Sequence, residues 1–93
     1  MKNMKSGKMK SKLPKWFKGE HYPNGDVVKN PFSGEKYKLN AEELSMYDFI
    51  IGAQIVIGDN WMEDKYYDLQ NDIRKGIDWF RKNNAKAYMK LLD

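Results

Sequence analysis

Residues 40–57, NAEELSMYDFIIGAQIVI, decide the fold of this 93-residue chain. Asn40 can cap a helix while Glu43, three residues later, reaches back to the Asn40 amide, which is the reciprocal pattern of a capping box. At about 100° per residue, the apolar side chains fall on two opposite sides of this helix. One side holds Leu44, Tyr47, Ile51 and Ile55, and the other holds Met46, Phe49, Ala53, Val56 and Ile57. Each of the two apolar sides of such a helix must be covered by another part of the protein or by a partner.

Three covers are available for the two sides: the residues before the helix, the residues after it, and a second copy of the protein. A homodimer through the second side is therefore one prediction. Gly52 either marks a close approach of two backbones or is a tolerated helix glycine. The β-branched run at residues 55–57 makes a strand the main competing structure there.

Length and composition limit the architecture and the class of protein. A chain of 93 residues has room for one domain with a modest core, and it contains no cysteine, which excludes disulfides, thiolate-zinc sites and cysteine nucleophiles. No apolar run approaches the ~18 residues of a spanning helix, and the basic N-terminus lacks the apolar segment of a signal peptide. We expect an intracellular protein that does not enter a membrane.

The net charge of +4 conceals two unequal parts. Residues 1–19 carry seven lysines and no acidic residue, whereas residues 20–93 carry ten basic and thirteen acidic residues. Residues 1–12 contain almost no apolar side chains except methionine, so we expect a disordered basic tail followed by one domain at residues 13–93. Such a tail is attracted to nucleic acid, to an anionic membrane or to an acidic protein surface.

The segment after the tail places Trp16 and Phe17 between Lys15 and Lys18. Aromatic rings between lysines can stack on bases while the lysines contact phosphates. The alternative, which we favour for so small a domain, is that both rings cover one side of the central helix. The nucleic-acid hypothesis therefore rests on Lys5, Lys8, Lys10, Lys12, Lys15, Trp16, Phe17 and Lys18.

Two turn sequences, residues 23–26 (PNGD) and residues 30–34 (NPFSG), flank a short β-branched stretch. The pattern predicts an antiparallel hairpin with strands at residues 27–29 and 36–39 and a five-residue loop. Two strands alone are barely stable, so we expect the hairpin to lie against the central helix. The Asn-Pro-Phe triplet also matches a short peptide motif bound by trafficking domains, although the turn explains it adequately.

The run WFKGEHYPNGDVVKNPFSGEKYKLNAEELSMYDFIIGAQ at residues 16–54 resembles a family. It is similar to short uncharacterised proteins carried by tailed phages of marine cyanobacteria, with residues 14–57 in the resemblance. The resemblance implies a phage accessory or virion protein that acts in the cytoplasm of an infected cell or in the virion. It supplies no activity and no site residues.

A second helix is predicted to begin at Asn60, because Asn60 and Glu63 repeat the capping-box spacing. Its buried stripe should consist of Met62, Tyr66, Leu69, Ile73, Ile77 and Phe80. The helix-poor pair Asn83-Asn84 predicts a break or bend near Asn83, followed by a bent continuation or by a short third helix.

The opposite face of this second helix is acidic and carries aromatic side chains. Asp64, Asp68 and Asp72 follow one another at i+4 spacing, with Trp61 and Trp79 on the same side. Neighbouring carboxylates repel one another unless a positive group compensates, and a tryptophan away from the core can anchor a partner. A protein partner, the N-terminal arm and plain solvent are the three alternatives for this face.

The predicted fold is therefore a helix-dominated α+β domain with a short hairpin packed on two or three helices. We find no phosphate-binding glycine loop, nucleophile elbow or histidine-rich metal pattern, so we expect no enzymatic activity, no cofactor and no metal. The favoured hypothesis is binding to a host or virion protein through Trp61, Asp64, Asp68, Asp72 and Trp79. Nucleic-acid binding through the lysines is the alternative.

Overall fold

The computed structural model describes residues 13–92 as a small, helix-dominated α+β fold with one two-stranded sheet and three helices. In chain order, the strands and α-helices are β1 (Asp26–Lys29), β2 (Lys36–Leu39), α1 (Ala41–Ile57), α2 (Tyr67–Asn83) and α3 (Ala85–Leu91). The predicted disordered tail at residues 1–12 lies outside the described residues, as does Asp93.

The start of α1 is confirmed together with its capping box. The Glu43 amide donates to Asn40 Oδ1 at 2.8 Å, and the Asn40 amide donates to Glu43 Oε1 at 3.0 Å. The helix runs to Ile57 and ends at Gly58, whose φ of 55° is a conformation that glycine adopts at little cost. The competing strand at residues 55–57 is therefore wrong.

One side of α1 packs against α2 at a point where α2 has no side chain. A Cβ atom added to Gly76 of α2 would lie 3.1 Å from both Ile50 Cγ1 and Met46 Sδ. The side chains of Ile50 and Met46 in α1 therefore pack close to the backbone of α2 at Gly76. At Gly52 of α1 an added Cβ would meet nothing within 4 Å. Gly52 is thus a tolerated helix glycine, and the close approach occurs at Gly76.

The other side of α1 is covered within the same chain for most of its length. Tyr47 is buried, Leu44 and Ile51 are half-buried, and β2 contacts the helix. The cover stops at the last turn, where Ile55 is exposed; on the opposite side Val56 is exposed as well, whereas Ile57 is fully buried. The two required covers are therefore supplied by this chain up to that turn.

The predicted hairpin is confirmed, with a slightly longer connection. Val28 pairs with Tyr37 in the antiparallel ladder, and six residues rather than five join the strands. The hairpin packs more on α3 than on α1, and it does so through β2, whose Leu39 is fully buried. The hairpin also contacts α1 through β2, as expected, and α3 is its more extensive support.

The predicted start of the second helix at Asn60 is wrong. Residues 58–63 form turns, a short 3-10 helix spans Asp64–Tyr66, and α2 begins at Tyr67. The Glu63 amide donates to the main-chain carbonyl of Asn60 at 3.1 Å, so a turn takes the donor that a helix cap would have used. Met62, expected in the buried stripe, is 94% exposed.

The break near Asn83 is confirmed. Asn83 ends α2, and Asn84 caps the separate helix α3 through its Oδ1 atom, which accepts from the Ala87 amide at 3.1 Å. Asn84 Nδ2 also donates to Glu43 Oε2 at 3.0 Å. Glu43 is buried, and through these hydrogen bonds its carboxylate links the N-terminus of α1 to the N-terminus of α3.

Candidate protein-interaction surface

The aromatic pair of the N-terminal arm packs on the core. Phe17 is buried, and its ring lies 5.5 Å from that of Phe49 in an edge-to-face arrangement. Trp16 is half-buried, and its ring centroid is 6.3 Å from that of Phe49. Phe17 is therefore not accessible for base stacking. Of the other residues in the nucleic-acid hypothesis, Lys15 and Lys18 are exposed, whereas Lys5, Lys8, Lys10 and Lys12 lie outside the described residues.

The arm also meets one of the three aspartates. Asp72 is buried, with Lys18 Nζ at 3.4 Å and Lys75 Nζ at 3.5 Å from its carboxylate oxygens. Lys75 Nζ also lies 4.7 Å from the centroid of the Trp16 ring, a cation–π distance. The N-terminal arm, one of the three alternatives for the acidic face, thus contacts that face at Asp72, and Trp16 lies against Lys75.

The remaining residues of the predicted partner site are divided between two places. Asp64 lies in the 3-10 helix, Asp68 in the first turn of α2, and Trp61 in the preceding turn, where its carbonyl accepts a hydrogen bond from Gln70 Nε2. Trp61 is 42% exposed. Trp79 lies eleven residues beyond Asp68, about 16 Å along a helix. It is half-buried, with its ring 5.8 Å from that of Phe80.

A different surface emerges from the loop between the two strands, and its centre is Asn30. Asn30 is buried, and its Oδ1 atom accepts from the amides of Phe32 at 2.8 Å and Ser33 at 3.3 Å. Its Nδ2 atom donates to the carbonyl of Lys90 in α3 at 2.9 Å. One amide side chain therefore fixes both the shape of the loop and its position on α3.

The main chain of the loop is closed by further hydrogen bonds. The Asn30 amide donates to the Glu35 carbonyl at 2.8 Å, and the Gly34 amide donates to the Asn30 carbonyl at 2.9 Å. Gly34 has a φ of 79°, which only glycine adopts without strain. This closed loop holds Phe32 with its side chain 96% exposed, the highest value among the large hydrophobic residues of the described chain.

A groove of about 200 Å³ lies beside Phe32. It is formed by the loop, by the third and fourth turns of α1 and by the end of α3. Its lining consists of Asn30, Pro31, Phe32, Ile51, Gln54, Leu91 and Leu92. Ile55, one helical turn beyond Ile51, is 75% exposed. We call Phe32, this groove and Ile55 the Phe32 patch.

The charged groups nearest the Phe32 patch form one ion pair. Lys90 Nζ lies 3.3 Å from Glu35 Oε2, which joins the loop to α3 a second time. Away from the patch, a hydrogen bond to Asp48 raises the pKa of Tyr22, burial raises that of Tyr47, and Lys82 and Arg81 lower that of Asp78. The patch thus combines apolar side chains with a polar edge.

The sequence contains a sign of this surface in NPFSG, which predicts a turn with a phenylalanine in its middle. It does not show that Phe32 is left in water beside a groove, because that depends on where α1 and α3 end.

Comparison with protein-family models gives no match, and comparisons with curated proteins and with solved structures give none either. Within residues 13–92, none of the helices is both long enough and apolar enough to cross a membrane.

Proposed function

We propose that this protein acts without enzymatic activity, by binding another protein chain through the Phe32 patch. The observation that carries the proposal is the nearly complete exposure of Phe32 on a loop closed by hydrogen bonds. The groove beside it supplies the concave part of the same surface.

The energetics of Phe32 support a binding role. Burying a phenylalanine side chain is worth about 1.5–3 kcal/mol, and this fold leaves that free energy unused. Because the loop is already ordered, a partner that covers the ring pays little for ordering it. Aromatic side chains that become buried in a partner's pocket are common among binding hot spots.

The setting in which the protein acts follows from its resemblance to proteins of cyanobacterial phages. In that setting the partner is a host protein or a virion component, and the protein works in the cytoplasm of the infected cell or in the virion. The acidic surface that contains Trp61, Asp64 and Asp68 is the second candidate interface, because these residues are exposed and adjacent to the first turn of α2.

Capture experiments with matched variants test the proposal. The full chain is immobilised and exposed to an extract of marine cyanobacteria, beside Phe32→Ala and Trp61→Ala. Truncating an anchor residue costs about 2 kcal/mol or more, so Phe32→Ala should lower the affinity for the captured protein, purified and titrated, more than tenfold. Trp61→Ala should leave it unchanged.

Other outcomes of this experiment reject the proposal in favour of a named alternative. If Trp61→Ala loses the captured protein and Phe32→Ala retains it, the acidic surface is the interface. If the full chain binds mixed-sequence DNA, and log affinity falls by about 0.9 per phosphate contact for each unit of log salt, the lysines bind nucleic acid. A version lacking residues 1–12 should then lose that binding.

A further inference from the structure

We infer that residues 1–12, the lysine-rich start of this chain, dock in a groove of their own domain, between the N-terminal arm (residues 13–22), α1 and α2. The groove measures about 410 Å³, and we call it the Gly52 groove. Its lining consists of Gly19, Glu20, Asp48, Phe49, Gly52, Ala53, Val56 and Leu69. It shares no lining residue with the groove of the Phe32 patch, so this inference goes beyond the proposed function and does not depend on it.

The floor of the Gly52 groove is apolar and open to water. Val56 is 60% exposed, and Phe49 and Leu69 are half-buried. A Cβ atom added to Gly52 would meet nothing within 4 Å, so there is free space directly above the backbone of α1. Methionine, whose side chain is unbranched and flexible, fills irregular apolar spaces of this kind. Residues 1–12 contain three methionines, which are their only large apolar side chains.

The walls of the groove carry negative charge. Glu20 and Asp48 line it and are exposed, and the exposed Asp68 is adjacent in sequence to a lining residue. None of the ion pairs within the described part of the chain includes any of these three carboxylates. Asp48 accepts a hydrogen bond from the neutral Tyr22 hydroxyl, which leaves its charge in place. Residues 1–12 carry five lysines and no acidic residue, so their charge complements that of the groove.

The described chain begins close to this groove. Trp16, three residues after Leu13, has its ring centroid 6.3 Å from that of Phe49, which lines the groove. Three residues span at most about 11 Å, so Leu13 lies within that distance of Trp16 along the chain. The groove follows α1 from Asp48 to Val56, a rise of about 12 Å, which about four extended residues cover. The twelve residues before Leu13 reach about 40 Å when extended, so they are long enough to enter it.

The attachment of the tail to the arm makes it the favoured occupant. Ion pairs at a surface are individually weak, so a separate basic peptide would bind this groove with low affinity. A segment joined to the site by a few residues has an effective concentration of about millimolar there, against which a basic segment of another protein must compete. Docking also holds the lysines of the tail against the domain, so it opposes their binding to nucleic acid.

Paramagnetic broadening of NMR signals in the full chain tests the inference. The chain contains no cysteine, so a nitroxide attached to the variant Ser6→Cys labels the tail at one place. At about 0.01 M salt, where electrostatic attraction is weakly screened, the label should broaden the amide signals of Gly19, Gly52 and Ala53. It should leave the signal of Gly34, in the loop between the strands, sharp. At about 1 M salt the Debye length falls to about 3 Å, and most of the broadening should disappear.

Two variants of the groove and one control make the test specific. Gly52→Leu fills the groove and keeps the fold, because nothing lies within 4 Å of the added Cβ atom, so it should abolish the broadening. Glu20→Lys reverses one exposed charge of the wall and should reduce the broadening at least twofold. Glu35→Lys makes the same change in net charge on the loop between the strands, outside the groove, and should leave the broadening nearly unchanged.

Three outcomes overturn the inference. A labelled chain that shows no broadening of the groove at low salt rejects the docking of the tail. Broadening that Gly52→Leu and Glu20→Lys leave unchanged assigns the tail to another surface. Broadening that persists when the nitroxide and the isotope enrichment are on different copies places the tail on a second copy instead. The capture experiment with Phe32→Ala does not involve this groove, so the proposed function stands or fails separately.

Discussion

Asn30 is the residue on which the position of Phe32 depends. Its side chain shapes the loop through Oδ1 and ties the loop to α3 through Nδ2. The amide is buried, so water cannot easily replace these hydrogen bonds. The Asn30 side chain therefore supports both the fold and the candidate interface, and removing it should affect both.

We predict that Asn30→Ala lowers the free energy of unfolding by about 1–3 kcal/mol, because it removes the partner of the Lys90 carbonyl and of two loop amides. Urea denaturation measures the loss. Asn24→Ala, at an exposed position in the bend before β1, serves as the control and should change little. An unfolding midpoint shared by Asn30→Ala and the wild type would contradict the role given to Asn30.

Tyr22 and Tyr47 predict how stability responds to alkaline pH. Their pKa values are raised above the ordinary 10.0, that of Tyr22 chiefly by its hydrogen bond to Asp48 and that of Tyr47 by burial. A folded-state pKa above the unfolded one favours the protonated form in the fold. The resulting stability is fully present below pH 10 and is lost as pH rises through the folded-state values.

We therefore expect the thermal midpoint of the wild type to fall as pH rises above 10, and to fall less in the double variant Tyr22→Phe/Tyr47→Phe. Thermal denaturation at a series of alkaline pH values measures both. Parallel declines in the two proteins would show that these phenols do not contribute to the effect.

At the scale of elements, the two capping patterns show what local sequence predicts. Asn40 and Glu43 form the capping box that starts α1, and their prediction is confirmed by two hydrogen bonds. Asn60 and Glu63 have the same spacing, yet they lie in a turn. Glu43 also accepts a hydrogen bond from Asn84, so a tertiary contact supports the cap of α1. No contact described for Asn60 supports a helix start at that residue in the same way.

Substitutions at Gly52 of α1 and Gly76 of α2 should change the stability of the protein in opposite directions. Gly52→Ala should stabilise the protein by about 0.5–1 kcal/mol, because an added Cβ meets nothing within 4 Å and alanine is the better helix former. Gly76→Leu should destabilise it by about 1–3 kcal/mol, because the new side chain must displace Ile50 and Met46. Chemical denaturation of both variants is the measurement. Similar effects at both positions would contradict the packing of α2 on α1.

At the scale of the whole molecule, the sequence predicts the elements better than their exposure. The two apolar sides of α1 correctly indicated two covers, and the hairpin and the break near Asn83 followed from turn and helix preferences. The exposure of Ile55 and Phe32 could not be predicted this way, because it depends on where α3 ends relative to α1. The contact of Lys18 with Asp72 agrees with the N-terminal arm as one of the three alternatives for the acidic face, although the sequence did not single out Asp72 among the three aspartates.

Photo-cross-linking from position 32 tests the central claim most directly. A photoreactive phenylalanine analogue is placed at position 32 of the full chain, and in a matched protein at position 62, which is equally exposed. Illumination of a cyanobacterial extract containing the protein should give a cross-link of defined mass to a protein chain from position 32, and none from position 62. Cross-links of the same yield from both positions, or none from position 32, would contradict the account.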